Sequence, residues 1–135
     1  MNGIEELKIL MSKKRATEWI FFKGIKMYIR VTFIVYEGDN IKKSLQIASM
    51  DAEEPGSGRF KEVMPVIEKQ ALEAGIPILM IENVMTDQLK GHLERTGWEH
   101  KKRPGNDYDV CMYKKLRELN SEDKFDPSNY DWMMK

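Results

Sequence analysis

The run "IPILMI" at residues 76–81 limits the fold more than any other part of the chain. It is apolar almost throughout and too short to be a helix. It has no polar face to give to water, so it reads as a strand buried on both sides. Just before it, Val63, Met64, Ile67 and Ala71 recur at helical spacing across residues 60–74, and Gly75 supplies a C-terminal stop. A helix that feeds a fully buried strand is the second half of a crossover unit. That strand therefore lies parallel to the strand preceding the helix.

The preceding strands are also legible. Residues 26–36, "KMYIRVTFIVY", alternate with period two. Met27, Ile29, Val31, Phe33 and Val35 fall on one face, with Lys26, Tyr28, Arg30 and Thr32 on the other. "EGDN" is a hairpin turn by composition, and "IKKSLQIASM" at residues 41–50 is the returning strand. Upstream, "TEWIFFKG" is a short aromatic strand ending at Gly24. Ile4, Leu7, Ile9, Leu10 and Met11 make a small amphipathic helix before it, ending at the basic run Lys13, Lys14, Arg15. The first fifty or so residues are thus an antiparallel meander behind a helix.

Downstream, "TDQLKGHLERTG" reads as a surface helix from Thr86, closed by Gly97. "WEHKK" and "DYDVCMYKKL" are two strands joined through the turn residues of "RPGND". Pro65 lies past the first turn of the middle helix, where a bend or an irregular start is expected. The length of 135 residues suits one domain, placed at residues 1–119. Residues 120–135 form an acidic tail that is either flexible or docks Phe125, Tyr130 and Trp132 on the body.

Composition narrows the function. The formal net charge is zero, which argues against broad non-specific nucleic-acid binding and leaves room only for a local basic patch. Cys111 is the one cysteine and His92 and His100 the only histidines, so neither a disulfide nor a Cys/His metal cluster is expected. No stretch is apolar for the ~20 residues that a membrane helix needs, and the N-terminal residues lack a signal core. The cytoplasm is the expected compartment. Cys111 reads as a buried structural thiol, His92 as a solvated helix histidine with proton donation as its alternative, and Tyr113 as core. Tyr108 and the basic loop "EHKKRPG" are weaker candidates for the site.

The segment "EEPGSGRFKE", residues 53–62, carries the chemistry. Glycines ahead of a helix let the backbone approach an anion, and the helix N-terminus offers unpaired N–H groups and a partial positive charge. Arg59 and Lys61 oppose the helix dipole in the first turn unless an anion is bound there. An ordinary loop is the alternative. Neither the P-loop nor the dinucleotide-binding glycine pattern is present.

From about Lys26 to Leu116 the chain resembles the GNAT superfamily of acetyl-CoA-dependent N-acetyltransferases. The resemblance lies in the order of a strand, a glycine-containing loop, a helix ending at Gly75, an apolar strand, Asn83 and "LERTGW". It implies an α/β fold: a GNAT-like mixed sheet with an antiparallel N-terminal meander, a central parallel pair joined by a crossover helix, and a C-terminal hairpin. Coenzyme A would lie where the central strands splay. Backbone groups around Ser49, Met50 and Ala52 would pair with the pantetheine arm, the amides of Gly56, Ser57, Gly58, Arg59 and Phe60 would take the pyrophosphate, and Asn83 would sit beside the pantetheine. The acceptor is an amine of unassigned identity, small or on a protein, and the family's habit implies a homodimer. The compact size is similar to that of small phage-encoded acetyltransferase-like proteins.

Four positions depart from the family. Pro55 stands for its Gln or Arg, Phe60 for its Gly or Ala, Leu93 for its general-acid tyrosine and Gln46 for a glutamate that helps deprotonate the amine. No residue is therefore assigned a catalytic role. The second reading is an inactive GNAT-like protein that binds a protein partner.

Overall fold

The structure, a computed structural model of the chain, describes residues 3–13, 15–52, 59–82, 87–100 and 111–126. Three α-helices are present among them: α1 (Gly3–Met11), α2 (Arg59–Glu73) and α3 (Asp87–Arg95). The strands are β1 (Ala16–Phe22), β2 (Ile25–Tyr36), β3 (Asp39–Ala52), β4 (Ile78–Ile81), β5 (Glu99–His100) and β6 (Met112–Lys115). They form one sheet in the order β1-β2-β3-β4-β6-β5.

The meander follows from its turns. Phe22 pairs with Ile25 and Tyr36 with Asp39, so each hairpin has a two-residue loop. In both loops the two central residues have positive φ: Lys23 with Gly24, and Glu37 with Gly38. That is the turn whose twist matches paired strands. β3 and β4 are parallel, joined through α2 as the apolar run requires. β4 is buried at all four positions. β6 then pairs antiparallel with both β4 and β5.

Both later helices end on a glycine in the left-handed region. After α2, Gly75 has φ 80°, its N–H donates to Leu72 O, and the Ile76 N–H donates to Ala71 O. After α3, Gly97 has φ 93° and Trp98 N–H reaches Leu93 O. This double closure satisfies carbonyls that a helix end leaves open. It also drops the next residue, Ile76 or Trp98, into the core beside Ala71 or Leu93. Pro65 does not end α2, which runs through it with the proline on its exposed side.

The sheet has two apolar faces, covered at different places. One face carries Ile25, Met27, Ile29, Val31, Leu45, Ile47, Leu79, Ile81 and Met112, packed against Leu7, Leu10 and Met11 of α1, Val63, Met64, Ile67 and Ala71 of α2, and Leu93 of α3. The other buries Ile34, Tyr36, Ile41, Ile78, Met80, Cys111 and Tyr113. The alternation read for residues 26–36 therefore holds only as far as Val31. Beyond it Val35 is exposed, Phe33 is half-buried, and Ile34 and Tyr36 are the buried pair. The strand keeps its period, but the covered side changes along its length.

β3 follows by means of two bulges. Its register against β2 shifts between Thr32 and Ile34 and again between Tyr28 and Ile29. Each shift places an extra residue on β3, and each turns the following side chains to the opposite face. Ile41 thereby joins one core, while Leu45 and Ile47 join the other. α3, read as a surface helix, is anchored more deeply than its few apolar residues suggested, because Leu93 is wholly buried. At the opposite end of the molecule the Lys43 ammonium caps the last turn of α1 by donating to Met11 O, and burial lowers its pKa. No helix among the described residues is long and apolar enough to cross a membrane.

Candidate functional site

The parallel pair separates at a defined rung. β3 and β4 are in register from Ser44 with Ile78 to Ile47 with Ile81. The Glu82 N–H then donates to Ile47 O at 2.9 Å, and there the pairing stops. β3 continues through residues 48–52 with no β4 partner among the described residues. Its extra residue, Ala48, falls at this fork, between the Tyr28–Ser49 and Ile29–Ile47 pairs. A bulge at this point bends the strand away from its neighbour. Among the described residues the parallel pairing thus ends at the carboxyl ends of the two strands, the place where open α/β sheets bind ligands.

The sequence-predicted residues divide around this point. Ser49, Met50 and Ala52 lie on the unpartnered extension of β3. Ser49 is exposed, and the Met50 side chain turns inward against the main core, so the strand offers its main chain there. Arg59 and Phe60 open α2, whose first amides have no partner within the helix. Gly56, Ser57, Gly58 and Asn83 lie outside the described residues, as do Pro55 and Tyr108. Phe60 borders the same core cluster as Met50, and its ring meets the His92 imidazole edge-on at 5.7 Å. That side chain is therefore turned toward α3.

This ring contact ties α3 to the start of α2. His92 is half-buried there. Desolvation holds its pKa below the ordinary value, with Lys61 and Arg95 pushing the same way and Glu68 opposing them. The imidazole is thus kept neutral at pH 7 in a locally cationic setting. An anion at the start of α2 would relieve that bias.

Two expected family functions are closed off by packing. Leu93 is 0% exposed and belongs to the core. Gln46 is buried, and its amide is spent on Ser44 Oγ at 3.2 Å and Phe33 O at 3.4 Å. Cys111 and Tyr113 are core residues, as their strand spacing suggested. No three His, Cys, Asp or Glu side chains gather as metal ligands among the described residues.

One pair at the fork was not singled out from the sequence. Arg30 Nη2 reaches Glu82 Oε2 at 3.2 Å, spanning from β2 across β3. Glu82 is the first residue after the buried run 76–81, and an acid at that boundary was the available signal. Its carboxylate stands beside the last rung of the parallel pair.

No family model matches the chain, and no curated protein matches it in sequence. Among solved structures, a tyrosine-to-phenylalanine mutant of the AtaT toxin, bound to the C-terminus of the antitoxin AtaR and acetyl-CoA, aligns with 68% of this chain. Identity is 13% and the TM-score 0.49. The KacTA–DNA complex aligns over the same share at 15% identity, again with a TM-score of 0.49. The alignment spans 58% of the length of either of those chains. The element order (meander, crossover helix, parallel pair ending at a bulge, and antiparallel β5–β6) fits the GNAT-like fold expected from the sequence.

Proposed function

We propose that the chain is an acetyl-CoA-dependent N-acetyltransferase acting on an amine. The observation that carries this reading is the fork. An extended strand edge with no partner among the described residues leads toward the start of a crossover helix. A pantetheine arm is extended and bears two amides, so it can add to residues 48–52 as a strand would. The first amides of α2, with the glycines before it, would hold a pyrophosphate. Bound acetyl-CoA would supply an activated acyl thioester. The chain's own part is to hold the amine against it, since proximity alone accounts for much of the rate in such transfers. Glu82 is the carboxylate placed at the fork to orient a cationic amine.

The second reading, a GNAT-like protein that binds a partner without turnover, is favoured by Leu93 and Gln46. Neither can exchange a proton with substrate where it lies.

Calorimetry and thermal unfolding with CoA test the cofactor. At 100 times Kd, CoA is expected to add ~2.7 kcal/mol of stability. Gly58→Trp is expected to remove that shift by filling the loop. A wild-type chain that takes no CoA overturns the cofactor assignment. Thiol release from acetyl-CoA that depends on an added amine then separates the two readings: amine-dependent release means the enzyme, binding alone means the inactive form.

A further inference from the structure

In the N-terminal half of the sheet, no helix among the described residues covers the face opposite α1 and α2. Cross-strand pairing puts Trp19 beside Tyr28, Phe21 beside Lys26 and Thr17 beside Arg30 on that side. Trp19 keeps 48% and Phe21 52% of its surface exposed, while Ile20 between them is buried. The Trp19 and Tyr28 rings are 4.8 Å apart, tilted at 46°, and Lys26 Nζ stands 4.8 Å from the Trp19 ring centroid. Two large aromatics exposed side by side on a regular strand mark a contact surface.

Charge selects the partner. Between residues 13 and 30 the basic residues are Lys13, Lys14, Arg15, Lys23, Lys26 and Arg30, against the single acid Glu18. This excess sits in a chain whose formal net charge is zero. Arg15 precedes β1 and Lys26 pairs with Phe21 near its far end, so cations mark both ends of the aromatic strand. The excess of cations along β1 suits a polyanion.

The acids nearby fix a direction. Asp51 pairs in register with Lys26, and Glu82 holds Arg30, both on the β3 side. Among the described residues, β1 places no acid on this face. The Lys23 ammonium lies over the Phe22 ring on the covered side, so a phosphate backbone would run along β1 from Arg15 toward Lys26.

We propose that the open face of β1 and β2 binds single-stranded nucleic acid, with bases stacked on Trp19, Phe21 and Tyr28 and phosphates paired to Arg15 and Lys26. Flat aromatic rings accept any base face, and a single strand exposes its bases where a duplex does not. The face borders the fork, because Tyr28 and Lys26 pair in register with Ser49 and Asp51, but its contacts are side chains of β1 and β2 and do not depend on the acetyltransferase reading.

The test is fluorescence anisotropy with labelled oligothymidylate and oligouridylate of about 12 nucleotides, within the usual span of one such domain. Binding is expected at low salt. Trp19→Ala and Phe21→Ala should each weaken it about ten-fold or more. Arg15→Ala and Lys26→Ala should each reduce the slope of log affinity against log salt by about 0.7. Leu72→Ala removes an equally exposed apolar side chain from α2 and should leave binding intact. Circular dichroism confirms that each variant is folded. No binding by the wild type, or equal losses from Leu72→Ala and Trp19→Ala, overturns the proposal. So does duplex DNA competing as well as the single strand. If Trp19→Ala instead dissolves a dimer and no oligonucleotide binds, the face belongs to a second copy and the proposal fails.

Discussion

A β-carbon built on Gly3 would stand 2.6 Å from Phe21 O and 2.9 Å from Phe22 Cβ. The first turn of α1 therefore rests directly on the β1 backbone, and only a residue without a side chain permits that approach. Gly3→Ala is expected to destabilise the fold by about 1–3 kcal/mol, as overpacking does, read as a lower denaturant midpoint. Gly91 is the contrasting case. Its β-carbon would meet only the Arg95 guanidinium, at 3.2 Å, and that flexible group can move. Gly91→Ala should stabilise the molecule by about 0.5–1 kcal/mol, since α3 then loses its internal glycine. His92 gives a pH signature at the same scale. Its pKa is depressed by burial first and by Lys61 and Arg95 second. A histidine whose pKa is lower in the folded chain takes up protons more readily when unfolded. Its stabilising contribution is present above the ordinary value near 6.5 and is lost as pH falls through the folded value. An NMR titration should show His92 titrating below the ordinary histidine value. Lys61→Ala should move the His92 midpoint upward, and saturating CoA should do the same if phosphate sits at the start of α2.

Among the elements, strand periodicity was the most legible signal, and its limit is instructive. Residues 26–36 alternate without a break, yet the rule that assigns one buried face stops at Val31. Alternation reports that neighbours point opposite ways. It does not report which side a helix or a second cluster will cover. The bulges in β3 were unreadable for a related reason: an extra residue costs the sequence pattern one step, and "IKKSLQIASM" has too few apolar positions to show it. The helix stops at Gly75 and Gly97 were legible because positive φ imposes a residue type. The fork was legible only as an order of elements, and the Arg30–Glu82 pair not at all, because it joins residues far apart in sequence. The segment after β6 shows the same blindness to long-range pairing. Arg117 forks onto Asp123, at 2.7 Å and 2.8 Å, and also donates to Gly75 O at 2.9 Å. Asn120 caps the 3-10 turn Ser121–Asp123 with a reciprocal capping box. The Asp123 pKa is lowered, chiefly by its bond to Arg117. The ionised carboxylate thus stabilises the fold above the ordinary aspartate value, and that contribution disappears as pH falls through the lower folded value. Arg117→Ala should cost about 1–2 kcal/mol at neutral pH, discounted for the exposure of the guanidinium. It should also flatten the acid limb of the stability curve, which urea unfolding across pH 2–6 would read at about half-unit steps.

At the scale of the whole molecule, the end of the folded body is the remaining question, and the packing argues for a later boundary than composition does. The sequence reads as polar from Asn120 onward, which suggests a tail. Yet Phe125 is 8% exposed and meets Phe33 edge-on at 5.8 Å. Lys124 bridges to Ile41 in the sheet, and the Phe125 N–H donates to Asn40 O at 3.0 Å. These contacts lie at the end of β2 and β3 where the helices no longer cover the sheet. We propose that the folded unit extends through Asp126. Ending the chain after Leu119 would expose Phe33 and remove a buried phenylalanine, a loss of about 1.5–3 kcal/mol from apolar burial alone. It would also leave Arg117 without Asp123. A chain ending at Asp126 should unfold at a clearly higher temperature than one ending at Leu119, and Phe125→Ala in the full chain should recover most of the difference. The fork lies at the other end of β3, so CoA binding should survive either truncation once each is measured below its own melting temperature. Equal melting temperatures for the two truncations would return the boundary to Leu119.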